Sequence, residues 1–213
     1  MKNPINRRTF LRFGALTSLV SGLSFKTAMA GNPTPQQQGV KQYVTLGRTG
    51  LRISDISFGS SRLRDGQEHL VRHALNLGVN YYDTAEGYTR GVSETVIGNA
   101  LKGDRDRVYI ATKKAVKVEH TSADIMAALE TSLRKLQTDY VDIYFNHAVN
   151  DVERLKNDYW FEFVEKAKRQ GKIRFSGFSG HAGRLVECVD YAVEQDMVDA
   201  LLVATNFGED PLF

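Results

Sequence analysis

From about residue 43 the chain alternates short apolar runs with longer stretches whose apolar positions recur every three or four residues. These are the periods of strand and helix. Tyr43-Val44-Thr45-Leu46, then Gly47-Arg48-Thr49-Gly50, then Leu51-Arg52-Ile53-Ser54 read as a hairpin, because the two glycines permit a tight turn. Six strand-like runs follow at 56–59, 80–84, 108–112, 141–146, 173–178 and 200–205. Helical stretches separate them near 66–77, 92–102, 121–137, 158–170 and 183–196. The third sets Ile125, Leu129, Leu133 and Leu136 on one stripe, with Thr121 or Ser122 able to cap its start. A strand–helix repeat of this regularity predicts right-handed βαβ units and a parallel α/β sheet. A doubly wound sheet should carry a Gly-rich phosphate loop after its first strand, and Phe58-Gly59-Ser60-Ser61-Arg62-Leu63 lacks it. The pattern favours a TIM-type (β/α) barrel with a hairpin closing its bottom.

The amino terminus follows neither period. A basic start, a modest apolar core over 15–25 and Thr27-Ala28-Met29-Ala30 describe an export signal, expected over 1–30 and cut near Ala30. Its core is too short and too interrupted by Ser, Thr and Gly to anchor stably in a bilayer. Arg7-Arg8-Thr9-Phe10-Leu11 resembles a twin-arginine signal, which implies the twin-arginine export machinery as a partner and a periplasmic destination. Residues 31–42, with Pro33, Pro35 and a Gln run, read as a flexible linker. The first thirty residues hold five of the 28 basic residues and none of the 25 acidic ones, leaving 23 against 25, a net −2. The basic excess thus belongs to the signal and gives no case for nucleic acid. One cysteine, Cys188, excludes an intrachain disulfide and any Cys-only metal or cluster site.

Candidate chemistry gathers where the strands end. Asp83 closes the second strand, with Tyr88 on the loop behind it. The third ends in Ala111-Thr112-Lys113-Lys114, the fourth in Asn146-His147. Each alone has a plain structural explanation; four together at the carboxyl edge of successive strands are where such barrels put their chemistry. Adding hydride to a carbonyl needs an acid that protonates the developing alkoxide. A free tyrosine titrates near ~10. An ammonium about 4 Å away at an effective dielectric of ~20 is worth roughly 4 kcal/mol, or about three pKa units, against which desolvation works. Lys113 would so lower Tyr88, Asp83 would hold Lys113, and a neutral His147 could bond the substrate oxygen or relay the proton.

On these residues the body resembles an aldo-keto reductase. The matching stretches are Leu46-Gly47-Arg48-Thr49-Gly50-Leu51, Asp83-Thr84-Ala85 with Tyr88, Ser93-Glu94 with Ile97-Gly98, Ala111-Thr112-Lys113, Val141-Asp142-Ile143-Tyr144 with His147, and Gly177-Phe178-Ser179. The resemblance implies a (β/α)8 barrel over 43–213, with NADPH, or NADH, as cofactor and a small aldehyde or ketone as substrate. It makes Tyr88 the general acid, Lys113 its partner, Asp83 the partner of Lys113, and His147 the orienting residue. Cofactor contacts are implied for Gly59, Ser60, Asp83, His147 and Ser179. The chain departs from the family where Gly180-His181 follows that serine. It departs again where Leu202 stands in place of a glutamine, for which Asn206 is the nearest substitute. Ser-Gly-His resembles an exported branch whose members carry a carboxyl-terminal iron–sulfur domain, and this sequence holds no cysteines for one.

Residues 31–213 are 183 in number, fewer than the ~200 minimum for such barrels, and carry about six of the eight βα units. A truncated reductase is therefore the expectation, and a non-catalytic fragment or pseudoenzyme that binds partners through open sheet edges is the alternative.

Export should depend on Arg7 and Arg8 together. With both replaced by lysine, a tagged precursor should stay in the cytoplasmic fraction; unchanged arrival in the periplasm would point to export of an unfolded chain instead.

Overall fold

The computed structural model describes residues 39–204. The signal expected over 1–30, most of the linker and Asn206 lie outside them. The linker's last residues belong to the body: Val40 N–H donates to the Leu77 carbonyl at 2.8 Å, and its side chain packs against the core.

Two strands, β1 (Tyr43–Thr45) and β2 (Arg52–Ser54), form the antiparallel hairpin, with Tyr43 opposite Ser54. Its turn closes on Gly50, left-handed at φ 69°, a conformation that glycine adopts without a Cβ clash. Six parallel strands follow: β3 (Phe58–Gly59), β4 (Tyr81–Asp83), β5 (Tyr109–Lys114), β6 (Val141–Asn146), β7 (Ile173–Gly180) and β8 (Ala200–Val203). Helices α1 (Glu68–Asn76), α2 (Val92–Leu101), α3 (Ser122–Leu136), α4 (Asp158–Arg169) and α5 (Leu185–Glu194) fill the intervals. The strands lie side by side in chain order, from β3 through β8. A doubly wound sheet reverses its order at a switch point. This sheet never does, and it winds in one direction as a barrel wall does.

Alternation along each strand sorts side chains onto two faces. Tyr82, Ile110 and Tyr144 point to the helices and join the large cluster with Val71, Ile97, Leu129 and Phe163, and Val141 and Ile173 join it from the starts of their strands. Tyr144 packs there between Trp160, stacked at 6.2 Å, and Phe163, tilted at 5.4 Å. The other face carries Tyr81, Ala111, Ile143, Phe145 and Ala200, which pack with Leu51 of the hairpin region. Arg48 holds the hairpin down through Asp196 and the Val198 carbonyl.

Register carries the chemistry to one edge. Gly59 lies opposite Asp83 and Asp83 opposite Ala111, so Lys113 stands two residues further toward the carboxyl end. Asn146 pairs with Phe178 and Ser179 with Leu202, which brings His147 and Ser179 to the same rim. Helix α3 starts at the expected Thr121, in a capping box with Asp124.

Helices α2 and α3 touch at Gly98. A Cβ there would stand 2.4 Å from the Lys135 carbonyl oxygen and 2.7 Å from the Leu136 carbonyl carbon, main-chain atoms that no rotamer change can move. Gly98→Ala gains about 1 kcal/mol of helix propensity, and overpacking a tight contact costs about 1–3 kcal/mol. The difference is about 0–2 kcal/mol, and because main-chain atoms block the Cβ it should lie toward ~2 kcal/mol, seen as a lower urea midpoint; an unchanged or higher midpoint would show that the two helices separate freely.

Candidate active site

Lys113 is 1% exposed, and β5 directs its side chain to the face that Asp83 shares. An ammonium so deep needs acceptors on every side. Its Nζ donates to Asp83 Oδ1 at 2.6 Å, to the Thr84 carbonyl at 2.7 Å and to Tyr88 Oη at 3.4 Å. It also stands 4.8 Å from the centre of the Tyr88 ring. Burial pushes Asp83 up and Lys113 down, and the attraction between them opposes both shifts. Asp83 Oδ2 is buried and has no hydrogen-bond partner among the described residues.

Tyr88 sits on a loop that doubles back on itself. Thr89, Arg90 and Gly91 are all left-handed, with φ of 49°, 59° and 86°. Thr89 secures this turn. Its Oγ1 accepts from Ser93 N–H at 3.0 Å and offers its one proton to the Leu63 carbonyl at 2.8 Å or the Tyr88 carbonyl at 2.7 Å. Beneath the loop a chain of hydroxyls runs from Thr84 to Ser93 (2.9 Å), from Ser93 to Ser60 (2.7 Å) and from Ser60 to the Asp83 carbonyl (2.7 Å). Ser60 is buried, and its main chain is engaged as well: its N–H donates to the Asp83 carbonyl at 3.1 Å and its carbonyl accepts from Leu63 N–H at 3.0 Å.

The Tyr88 phenol is raised from its ordinary value, first by burial and then by Asp83. This reverses the direction expected from the sequence. Asp83 lies closer to the Lys113 ammonium than the phenol does, so little net positive field reaches the oxygen, and desolvation wins. Tyr88 therefore stays protonated at neutral pH.

His147 follows β6, its N–H donating to the Lys114 carbonyl at 2.8 Å. Its ring meets Tyr88 edge-on, with centroids 5.6 Å apart and planes at 79°. Burial, then Lys113, His181 and Arg154, lower its pKa to about 4, so the imidazole is neutral at pH 7. Ser179 is buried at the neighbouring rim. Its Oγ accepts from Ala148 N–H at 3.2 Å and keeps its own proton free of any acceptor among the described residues. Gly59 faces open space, with nothing within 4 Å of where a Cβ would stand. Sequence reasoning overlooked Arg154. Its guanidinium reaches the carbonyls of Val116, His147 and Ala148 and Asn146 Oδ1. These partners lie far off in sequence or on main-chain atoms, so no motif marks them.

Asp83, Tyr88, Lys113 and His147 thus converge at one rim, with Gly59 and Ser179 on its flanks. A sequence model of the aldo/keto reductase family matches residues 55–207. An uncharacterised oxidoreductase of Bacillus subtilis is 29% identical over 178 residues, covering 78% of this chain and 57% of that protein. The L-galactose dehydrogenase of Arabidopsis thaliana is 30% identical over 179 residues, covering 76% and 56%. The chain therefore spans just over half the length of these curated relatives. Among solved structures, the holo form of an aldo-keto reductase from Bacillus halodurans superimposes with a TM-score of 0.67 at 28% identity, covering 77% of this chain and 57% of that one. An aldo-keto reductase from Klebsiella pneumoniae in complex with NADPH gives 0.53 at 34% identity, covering 66% and 50%. On the family match, the singly wound parallel sheet and these relatives together, the chain belongs to the aldo/keto reductase family.

Proposed function

We propose that this protein contributes the active site of an NADPH-dependent reductase of small aldehydes or ketones. The carrying observation is the Tyr88 phenol held 3.4 Å from a buried ammonium that Asp83 anchors at 2.6 Å. The rim suits a nicotinamide cofactor, because among the described residues it offers a buried carboxylate oxygen with no donor, a hydroxyl proton on Ser179 with no acceptor and open space before Gly59. Asp83, Ser179 and Gly59 would hold the cofactor's nicotinamide end, and the Klebsiella relative's NADPH complex supports that choice. Bound there, the cofactor supplies the hydride.

The protein's own part is acid catalysis and orientation. Tyr88 gives its proton to the carbonyl oxygen as negative charge develops on it, and the tyrosinate left behind is stabilised by Lys113 Nζ. A raised phenol pKa keeps the donor loaded at neutral pH. Neutral His147 donates a hydrogen bond to the same oxygen and fixes which atom faces Tyr88. We also retain the twin-arginine reading of Arg7-Arg8: residues 1–30 as the signal, a linker that ends where Val40 joins the body, and a body that works in the periplasm.

Tyr88→Phe removes only the proton donor. With NADPH and a panel of small aldehydes and ketones, kcat should fall by about 10²–10⁴-fold while NADPH affinity stays unchanged. Normal turnover in this variant at neutral pH would remove Tyr88 from its role.

The His147 imidazole should titrate with a midpoint of about 4 by NMR. Between that value and the ordinary 6.5 the unfolded chain binds a proton that the folded protein refuses. This group's stabilisation is thus complete above 6.5 and is lost progressively as pH falls to about 4. A midpoint of 6 or higher would contradict a buried, neutral His147.

A further inference from the structure

Arg154 is a half-buried cation whose partners are not charges. Among the described residues it forms no ion pair with a carboxylate. Its Nε and Nη2 reach the Val116 carbonyl at 3.2 and 3.0 Å, and Nη2 reaches the His147 carbonyl at 2.9 Å and Asn146 Oδ1 at 3.3 Å. Nη1 takes the Ala148 carbonyl. One planar group so ties the loop after β5 to the loop after β6, the two that bracket His147. The segment it grips is bent, with Ala148 left-handed at φ 55°. An L residue adopts that conformation only when its surroundings hold it there. From the opposite side, Lys114 takes the His147 N–H, Ser179 Oγ takes the Ala148 N–H, and the Ser179 carbonyl takes the Val149 N–H at 2.7 Å. The amides of this bend are thus fixed by neighbouring strands, and two of its carbonyls are fixed by Arg154.

We propose that Arg154 is a positioning residue of the site, setting the His147 ring against Tyr88 and turning the Ser179 hydroxyl by holding the His147–Ala148 carbonyls. It touches neither ring and acts through the main chain. A lysine cannot replace it, because a point-like ammonium has no planar fork to span carbonyls on two loops at once. Its effect on turnover rests on the reductase reading above; its effect on His147 does not.

The test uses Arg154→Ala and Arg154→Lys in the full chain, read by NMR in the absence of cofactor and by kinetics with NADPH. In Arg154→Ala the nuclear Overhauser contacts between Tyr88 and His147 should weaken, and the His147 midpoint should rise from about 4 toward 6.5. The rise follows from lost burial and a lost neighbouring positive charge, with Lys113 and His181 still facing the ring. Millimolar guanidinium ion should restore the contacts, and methylammonium should not. Arg154→Lys, which keeps the charge, should weaken the contacts and so decides the matter if the alanine variant fails to fold. Turnover should fall about tenfold to 100-fold in both, the size expected for an ångström of misplacement. A residue that merely stabilises would lower the melting temperature and leave the Tyr88–His147 contacts and the titration of the folded protein unchanged, and that result would overturn the proposal. If wild-type protein reduces no carbonyl, the reductase reading falls while the NMR outcome still judges Arg154.

Discussion

A buried lysine is among the hardest side chains for a fold to accommodate, and this fold turns on one. Lys113 lies in the sheet's interior with its ammonium out of reach of water. Removing one partner of a buried pair typically costs 3–5 kcal/mol, because the other is left charged and unsolvated. Asp83, the Thr84 carbonyl and Tyr88 must therefore all stand where β5 puts the ammonium. That requirement fixes the register of β4 on β5, since a slip of one residue would send Asp83 to the helix face among Tyr82 and Ile110. The pair that stands beside the phenol is the same pair that aligns the strands.

Around it the architecture separates two tasks. The helix-facing side is apolar and closely packed, built on Tyr144, Trp160 and Phe163 and on main-chain contact at Gly98. The other side mixes apolar residues, Leu51 with Ile143 and Phe145, with the polar groups of the rim, Lys113 standing level with Phe145. The hydroxyl chain through Thr84, Ser93 and Ser60 joins them, passing from helix α2 to the carbonyl of Asp83. Packing strength from the helices thus reaches the residue that anchors Lys113.

Much of this was legible in the chain. Hydrophobic periods located the strands and the five α-helices of the described residues, though not the short 3-10 turns, and the missing phosphate loop after Phe58 separated a barrel wall from a doubly wound sheet. Asp83, Tyr88, Lys113 and His147 could be found because strand ends are visible in sequence and their residue types are chemically costly there. What stayed hidden depends on distances between parts far apart in sequence. Arg154 meets Val116 across 38 positions, and Ser93 meets Ser60 across 33. The direction of the Tyr88 shift differs from the pairwise argument because burial outweighs the ammonium and the charge of Asp83 adds to it. The left-handed Thr89 and Arg90 carry no signal, since neither residue type favours that conformation.

The grip of Arg154 has an evolutionary corollary. It recognises main-chain oxygens, which every residue possesses, so the identities of Val116 and Ala148 matter little to it. Val116 is still held apolar by its burial in the core, but Ala148 lies part-exposed beside the rim and can vary among residues that accept its left-handed backbone. A lineage could change that side chain while the arginine stayed fixed, because the arginine reads only the main chain there.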